Sequence, residues 1–254
     1  MYKEFETRIS YKYLKEVINT LEEPICILGG WAVFFHVNNR FEKAQGRPYL
    51  GSRDIDLGFQ MKTNLKETTL AQTIRILKEE LKFKPLSFRL MKEIHTETEE
   101  ELKEGETVST HFIFPMYVDL IVDSIPDNFK NIFGFNPIDE PLLKQVFENK
   151  ESTMVTEFNR KLLLPTPKLL LGMKVNSLPN RDKDHKRIKD ICDMFALLWY
   201  TDIKAEKVNL GDYASKKAII KAVQTINNQD YEKVAAQIGH SAEEIKRVIS
   251  LLLQ

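Results

Sequence analysis

The segment Asp54-Ile55-Asp56-Leu57-Gly58-Phe59 constrains the chain more than any other. Its polar and apolar residues alternate without a break, which is the period of a half-buried strand. Side chains at i and i+2 of a strand point the same way. Asp54 and Asp56 therefore share one face, and Ile55, Leu57 and Phe59 share the other. A strand with so apolar a second face enters a core, and its first face then sets two carboxylates side by side. Their mutual repulsion is costly unless a cation is near. Magnesium suits the pair, because it accepts carboxylate oxygens and completes its shell with water and phosphate oxygens. Two ordinary acids on an exposed strand face are the plainer alternative.

Other elements can be placed around this strand. Residues 10–22 carry apolar side chains at helical spacing, and Pro24 stops that helix. Ile25–Leu28 is a short apolar run that ends in Gly29-Gly30, a buried strand entering a tight turn. Trp31–Val37 reads as a short buried helix, and Asn38–Ser52, with Gly46, Pro48 and Gly51, as a loop. Lys66–Leu81 is an amphipathic helix and Leu86–Ile94 a second alternating strand. The acidic run between Glu93 and Glu106 is a solvated loop or hairpin tip. Ser109–Phe114 and Tyr117–Val122 are two strands split by Pro115. After about Leu164 the pattern turns helical, with Pro165-Thr166-Pro167 opening a helix at a position proline favours. The predicted class is α+β, with a small mixed-sheet domain over 1–160 and a helical domain over 161–254.

Two further features carry chemistry. Gly29-Gly30 lies between a strand and a helix, where glycine lets a backbone approach a phosphate and the helix start offers free N–H groups. A ligand-free turn is the common use of the same pair. Asp119 sits inside the apolar run Tyr117–Val122, and a buried unpaired carboxylate costs several kcal/mol. It calls for a partner, either a structural one or a metal. Asp123 shares its face but marks the end of the run. The five histidines lack the paired spacing of a zinc site.

The order Gly29-Gly30, then Ser52-Arg53-Asp54-Ile55-Asp56-Leu57, then Asp119 resembles the polymerase-beta-like nucleotidyltransferase superfamily. The segment Leu164–Pro167, then Lys174, Arg181 and Lys189-Asp190-Ile191-Cys192-Asp193, resembles AbiEii-type toxins and related minor nucleotidyltransferases. Together the resemblance spans roughly residues 25–200. It implies that Asp54, Asp56 and Asp119 bind magnesium, that Gly29 and Gly30 hold the triphosphate, and that Ser52 assists near the phosphates. It further implies that Lys174 reaches the nucleotide while Asp190 holds Lys174 or Arg181 in place. The gap of 24 positions from Gly30 to Asp54 is longer than usual in that family, and Leu50 and Gly51 stand where relatives often have Arg or His.

On this resemblance the expected reaction moves a nucleoside monophosphate from an NTP to a hydroxyl and releases pyrophosphate. Asp119 is the expected general base, and the acceptor is a tRNA end, a protein hydroxyl or a small molecule. Such an enzyme is either a toxin–antitoxin component or a modifying enzyme of another kind. A non-catalytic module that binds a nucleotide or a partner is the alternative. Lys plus Arg and Asp plus Glu both number 37, so net charge draws the chain to neither nucleic acid nor membrane. Cys26 and Cys192 lie in apolar runs, which suits a reducing compartment. The N-terminus lacks an apolar signal core and no stretch approaches a membrane span, so a cytoplasmic protein is expected. The C-terminal apolar stripes over Ala214–Leu253 pack within the chain or serve a homodimer.

Overall fold

A computed structural model describes residues 2–61, 68–103, 105–203 and 208–254. The architecture is α+β, with a mixed sheet and a set of helices. Contacts group the chain into two compact units. One comprises Tyr2–Leu28 and Gly51–Leu164, and the other Gly29–Leu50 and Pro165–Gln254.

Elements follow in chain order. α1 (Glu4–Thr20) and β1 (Ile25–Ile27) precede α2 (Gly29–Gln45), and β2 (Asp54–Phe59) follows it. α3 (Thr69–Arg75) starts on Thr68, whose hydroxyl accepts from the Ala71 N–H at 3.2 Å, and runs into a π turn over Ile76–Glu80. Lys66 and Glu67, where the spacing predicts this helix to begin, lie outside the described residues. β3 (Lys84–Leu86) and β4 (Arg89–His95) form a hairpin, and β5 (Ile113–Val122) is the longest strand. Then come α4 (Phe129–Phe133), β6 (Ile138–Asp139), α5 (Leu143–Phe147), β7 (Ser152–Glu157) and β8 (Arg160–Pro165). The remaining helices are α6 (Pro167–Ser177), α7 (Asp184–Tyr200), α8 (Lys216–Gln224), α9 (Asn228–Ile238) and α10 (Ala242–Ser250).

The sheet runs β3-β4-β5-β2-β1-β8-β7, and β6 pairs with β5 beyond the end of β4. β2 lies parallel to β5 and antiparallel to β1. Ile55 and Leu57 of β2 pair with Val118 and Leu120 of β5, and all four are essentially fully buried. α1 covers this apolar face. Phe5 meets Phe114 edge-on at 6.4 Å, and Glu6 pairs with Arg53 at 3.3 Å. The residues that alternate with these, Asp54, Asp56 and Asp119 among them, occupy the opposite face.

Two expectations need correction. The expected loop over Asn38–Ser52 is helical as far as Gln45. The apolar stripe Trp31, Val33, Val37 continues to buried Phe41, which keeps the helical period going through polar neighbours. The chain then turns back, and the Tyr49 N–H donates to Asn38 Oδ1 at 2.8 Å. Pro115 does not split a strand in two either: Thr110–Phe112 is a single 3-10 turn, and β5 runs unbroken through the proline. At that position β5 is paired with Glu93 of β4, while β2 begins two residues later opposite Tyr117. The missing N–H therefore breaks no ladder on the β2 side.

In the helical unit α7 is buried on nearly every side from Ile188 to Leu198. It is packed by α2, α6, α9 and α10. α6 begins on Thr166, whose hydroxyl accepts from the Leu169 N–H at 3.3 Å, with Pro167 in its first turn.

Candidate functional site: a shared acidic face

The geometry of the acids follows from the β2–β5 ladder. Asp56 is the Cα partner of Asp119, and Asp54 is the partner of Tyr117 two residues earlier. Residues paired across parallel strands point to the same side, and adjacent strands lie about 4.8 Å apart. All three carboxylates thus rise from one face, two from β2 and one from β5. Asp119 is 4% exposed and Asp54 9%, while Asp56 is half-buried. At the far end of this face Gly58 leaves no room for a side chain, since a Cβ there would lie 2.9 Å from Cys26 Sγ and 3.0 Å from Leu28 Cδ1. Burial pushes the Cys26 thiol up to about 12, so it stays protonated.

The residue that sequence reasoning missed is Arg89. It opens β4 as the Cα partner of Asp119 on the side away from β2. Its Nη2 donates to Asp119 Oδ2 at 2.8 Å and lies 4.0 Å from Asp54 Oδ2. The guanidinium rests 4.3 Å from the Tyr117 ring centre and 4.8 Å from that of Phe88. Alternation within the expected strand Leu86–Ile94 puts Arg89 on the face away from buried Leu90. Only the pairing with β5 reveals which acid it meets.

The carboxylates suit magnesium in donor type and in the face they share. Among the described residues, however, no group of three or more His, Cys, Asp or Glu side chains is arranged to hold a metal ion. Arg89 is the cation that Asp119 now holds. Asp123 has a structural task, accepting from the Met61 N–H at 2.9 Å where β2 ends.

Ser52 is buried just before β2. Gly29 and Gly30 are the first two residues of α2, directly after β1 and Leu28. Gly29 has φ of 59°, a conformation that glycine takes without strain. Lys174 of α6 and Asp190 of α7 form a buried pair at 2.5 Å. Lys174 also reaches Asp193 at 2.8 Å, and Asp190 also accepts from Arg181 Nε at 2.5 Å. Lys189 binds Asp193, which accepts from the Tyr49 hydroxyl as well, at 2.9 Å. Burial by itself would lower the Lys174 pKa, but Asp190 and Asp193 more than reverse that and hold it above the usual lysine value. Burial would likewise raise Asp190, yet Lys174 and Arg181 bring it below the usual carboxylate value. The resemblance implies that Asp190 holds Lys174 or Arg181; it binds both. The spacing pointed to neither Tyr49 nor Lys189, the first because its segment reads as loop.

No protein-family model matches the sequence, and no curated protein matches it. Among solved structures it is similar to an antigenic nucleotidyltransferase-like protein from Paracoccidioides brasiliensis. That similarity has 15% identity and a TM-score of 0.42, covering 93% of this chain and 97% of the other. A likeness of that size establishes neither an activity nor a substrate.

Proposed function

We propose that this chain is a magnesium-dependent nucleotidyltransferase that moves a nucleoside monophosphate from an NTP to a hydroxyl acceptor. The observation that carries the reading is the β2–β5 pairing, which sets Asp54, Asp56 and Asp119 on one face. Asp54, Asp56 and Asp119 would hold the cation through hard oxygen donors. Bound there, magnesium would neutralise charge that builds up on the α-phosphate and on the departing pyrophosphate as the acceptor hydroxyl displaces it. In the helical unit, the N–H groups at the start of α2, at Gly29-Gly30, suit a phosphate, and Lys174 supplies positive charge held in place by Asp190.

Incubation of the full chain with α-labelled NTPs, magnesium and, in parallel, total tRNA, protein or small hydroxyl compounds tests this. Transfer of label to one acceptor class is expected, lost in Asp119→Asn and kept in Asp123→Asn, which preserves the acceptor for Met61. One observation favours a second reading, a binding module without catalysis: Asp119 is already matched by Arg89. That reading expects nucleotide binding with no transfer to any acceptor.

A further inference from the structure

The acid face carries its own cation. Arg89 Nη2 donates to Asp119 at 2.8 Å and approaches Asp54 to 4.0 Å, so one guanidinium spans acids from two strands. It is poorly exposed, flanked by the Tyr117 and Phe88 rings, and extends from a strand hydrogen-bonded to β5. A divalent ion taken up by Asp54, Asp56 and Asp119 needs the oxygens that Arg89 now engages and carries charge of the same sign. The two cannot be accommodated together without strong repulsion.

We propose that Arg89 is a positioning residue that competes with the metal: it holds Asp119 while the site lacks a divalent ion and gives up that carboxylate when the ion arrives. The proposal rests on the nucleotidyltransferase reading and adds a control to it. The aromatic flanks make the exchange conservative. Phe88 is exposed and Tyr117 half-buried, so a guanidinium leaving Asp119 keeps a ring to rest on at the rim of the site. Without a competitor, the two strongly buried carboxylates would repel each other in the metal-free protein. With it, the metal-free fold is stabilised and metal affinity is lowered by the same interaction.

The test is manganese binding to the full chain, followed by electron paramagnetic resonance. Wild type is compared with Arg89→Gln, Arg89→Lys and the double variant Asp54→Asn/Asp119→Asn. Arg89→Gln should bind manganese roughly tenfold more tightly than wild type, as expected for loss of one competing charge-assisted hydrogen bond. Arg89→Lys, which restores the positive charge, should return affinity toward the wild-type value. A purely structural arginine gives the reverse, with Arg89→Gln weakening manganese binding or leaving it unchanged, and that result overturns the proposal. A second measurement needs no variant. The Arg89 Nε–H resonance of wild-type protein should shift as diamagnetic magnesium saturates the site, and an unmoved resonance with magnesium bound also overturns it. If manganese binds neither wild type nor Arg89→Gln through Asp54 and Asp119, this proposal and the nucleotidyltransferase reading fall together. If wild type binds it there and Arg89→Gln binds no tighter, only this proposal falls.

Discussion

At the scale of single residues the chain places charge where burial makes charge expensive, and each instance has a partner. Asp119 and Arg89 are both largely removed from solvent. Removing one member of such a pair leaves the other buried without its countercharge. Asp119→Asn should therefore destabilise the metal-free protein by about 2–3 kcal/mol in urea denaturation. Asp56→Asn, at a half-buried position, should change it by no more than about 0.5 kcal/mol. Equal effects from the two substitutions would contradict the assignment of Arg89 to Asp119. Asp190 yields a pH prediction. Its carboxyl titrates below the ordinary value, so the stabilisation it brings is present above the unfolded value, near pH 4, and is lost as pH falls through the lower folded value. Between about pH 6 and pH 3 wild type should lose more stability than Asp190→Asn. Matching pH profiles for the two proteins would show that Asp190 does not contribute in this way.

At the scale of elements, close approach is what the local sequence leaves unstated. Gly172 reads as an ordinary helix residue, yet a Cβ there would stand 2.5 Å from the Tyr213 Cβ. Gly172→Ala gains in helix propensity but forces α6 away from that tyrosine, so a net loss of about 1–3 kcal/mol is expected by thermal denaturation. An unchanged or higher melting temperature would mean that the contact yields. The same distinction governs what could be read beforehand. β2 was legible residue for residue over Asp54–Phe59, because a period of two with one apolar face leaves few other structures open. α2 runs beyond its expected end because Asn38, Asn39 and Arg40 mask a stripe that only Phe41 continues. Pro115 leaves β5 whole because a proline interrupts only the ladder its N–H would join, and β2 starts too late to form one there. The hairpin of β7 and β8 turns at Phe158-Asn159, both at positive φ, a signal carried by one asparagine between short strands. In the candidate site, the shared face of Asp54 and Asp56 is legible from spacing, and Asp119 stands out as a carboxylate inside an apolar run. Arg89 is not legible, since strand pairing is a nonlocal choice that no short segment records.

At the scale of the whole molecule, formal charge is balanced and no described helix is long and apolar enough to cross a membrane. Attraction to a polyanionic nucleotide must then come from local groups, and the acid face repels a triphosphate unless a divalent ion intervenes. Nucleotide binding should therefore depend on magnesium outright. The most direct measurement is calorimetric titration of each NTP into the full chain, with magnesium and with chelator, for wild type and for Asp54→Asn/Asp56→Asn. Wild type is predicted to bind at least one NTP only when magnesium is present, and the double variant to lose that binding while remaining folded to within about 1 kcal/mol of wild type. NTP binding that is equal in chelator, or that survives the double substitution, would contradict a magnesium site at Asp54 and Asp56.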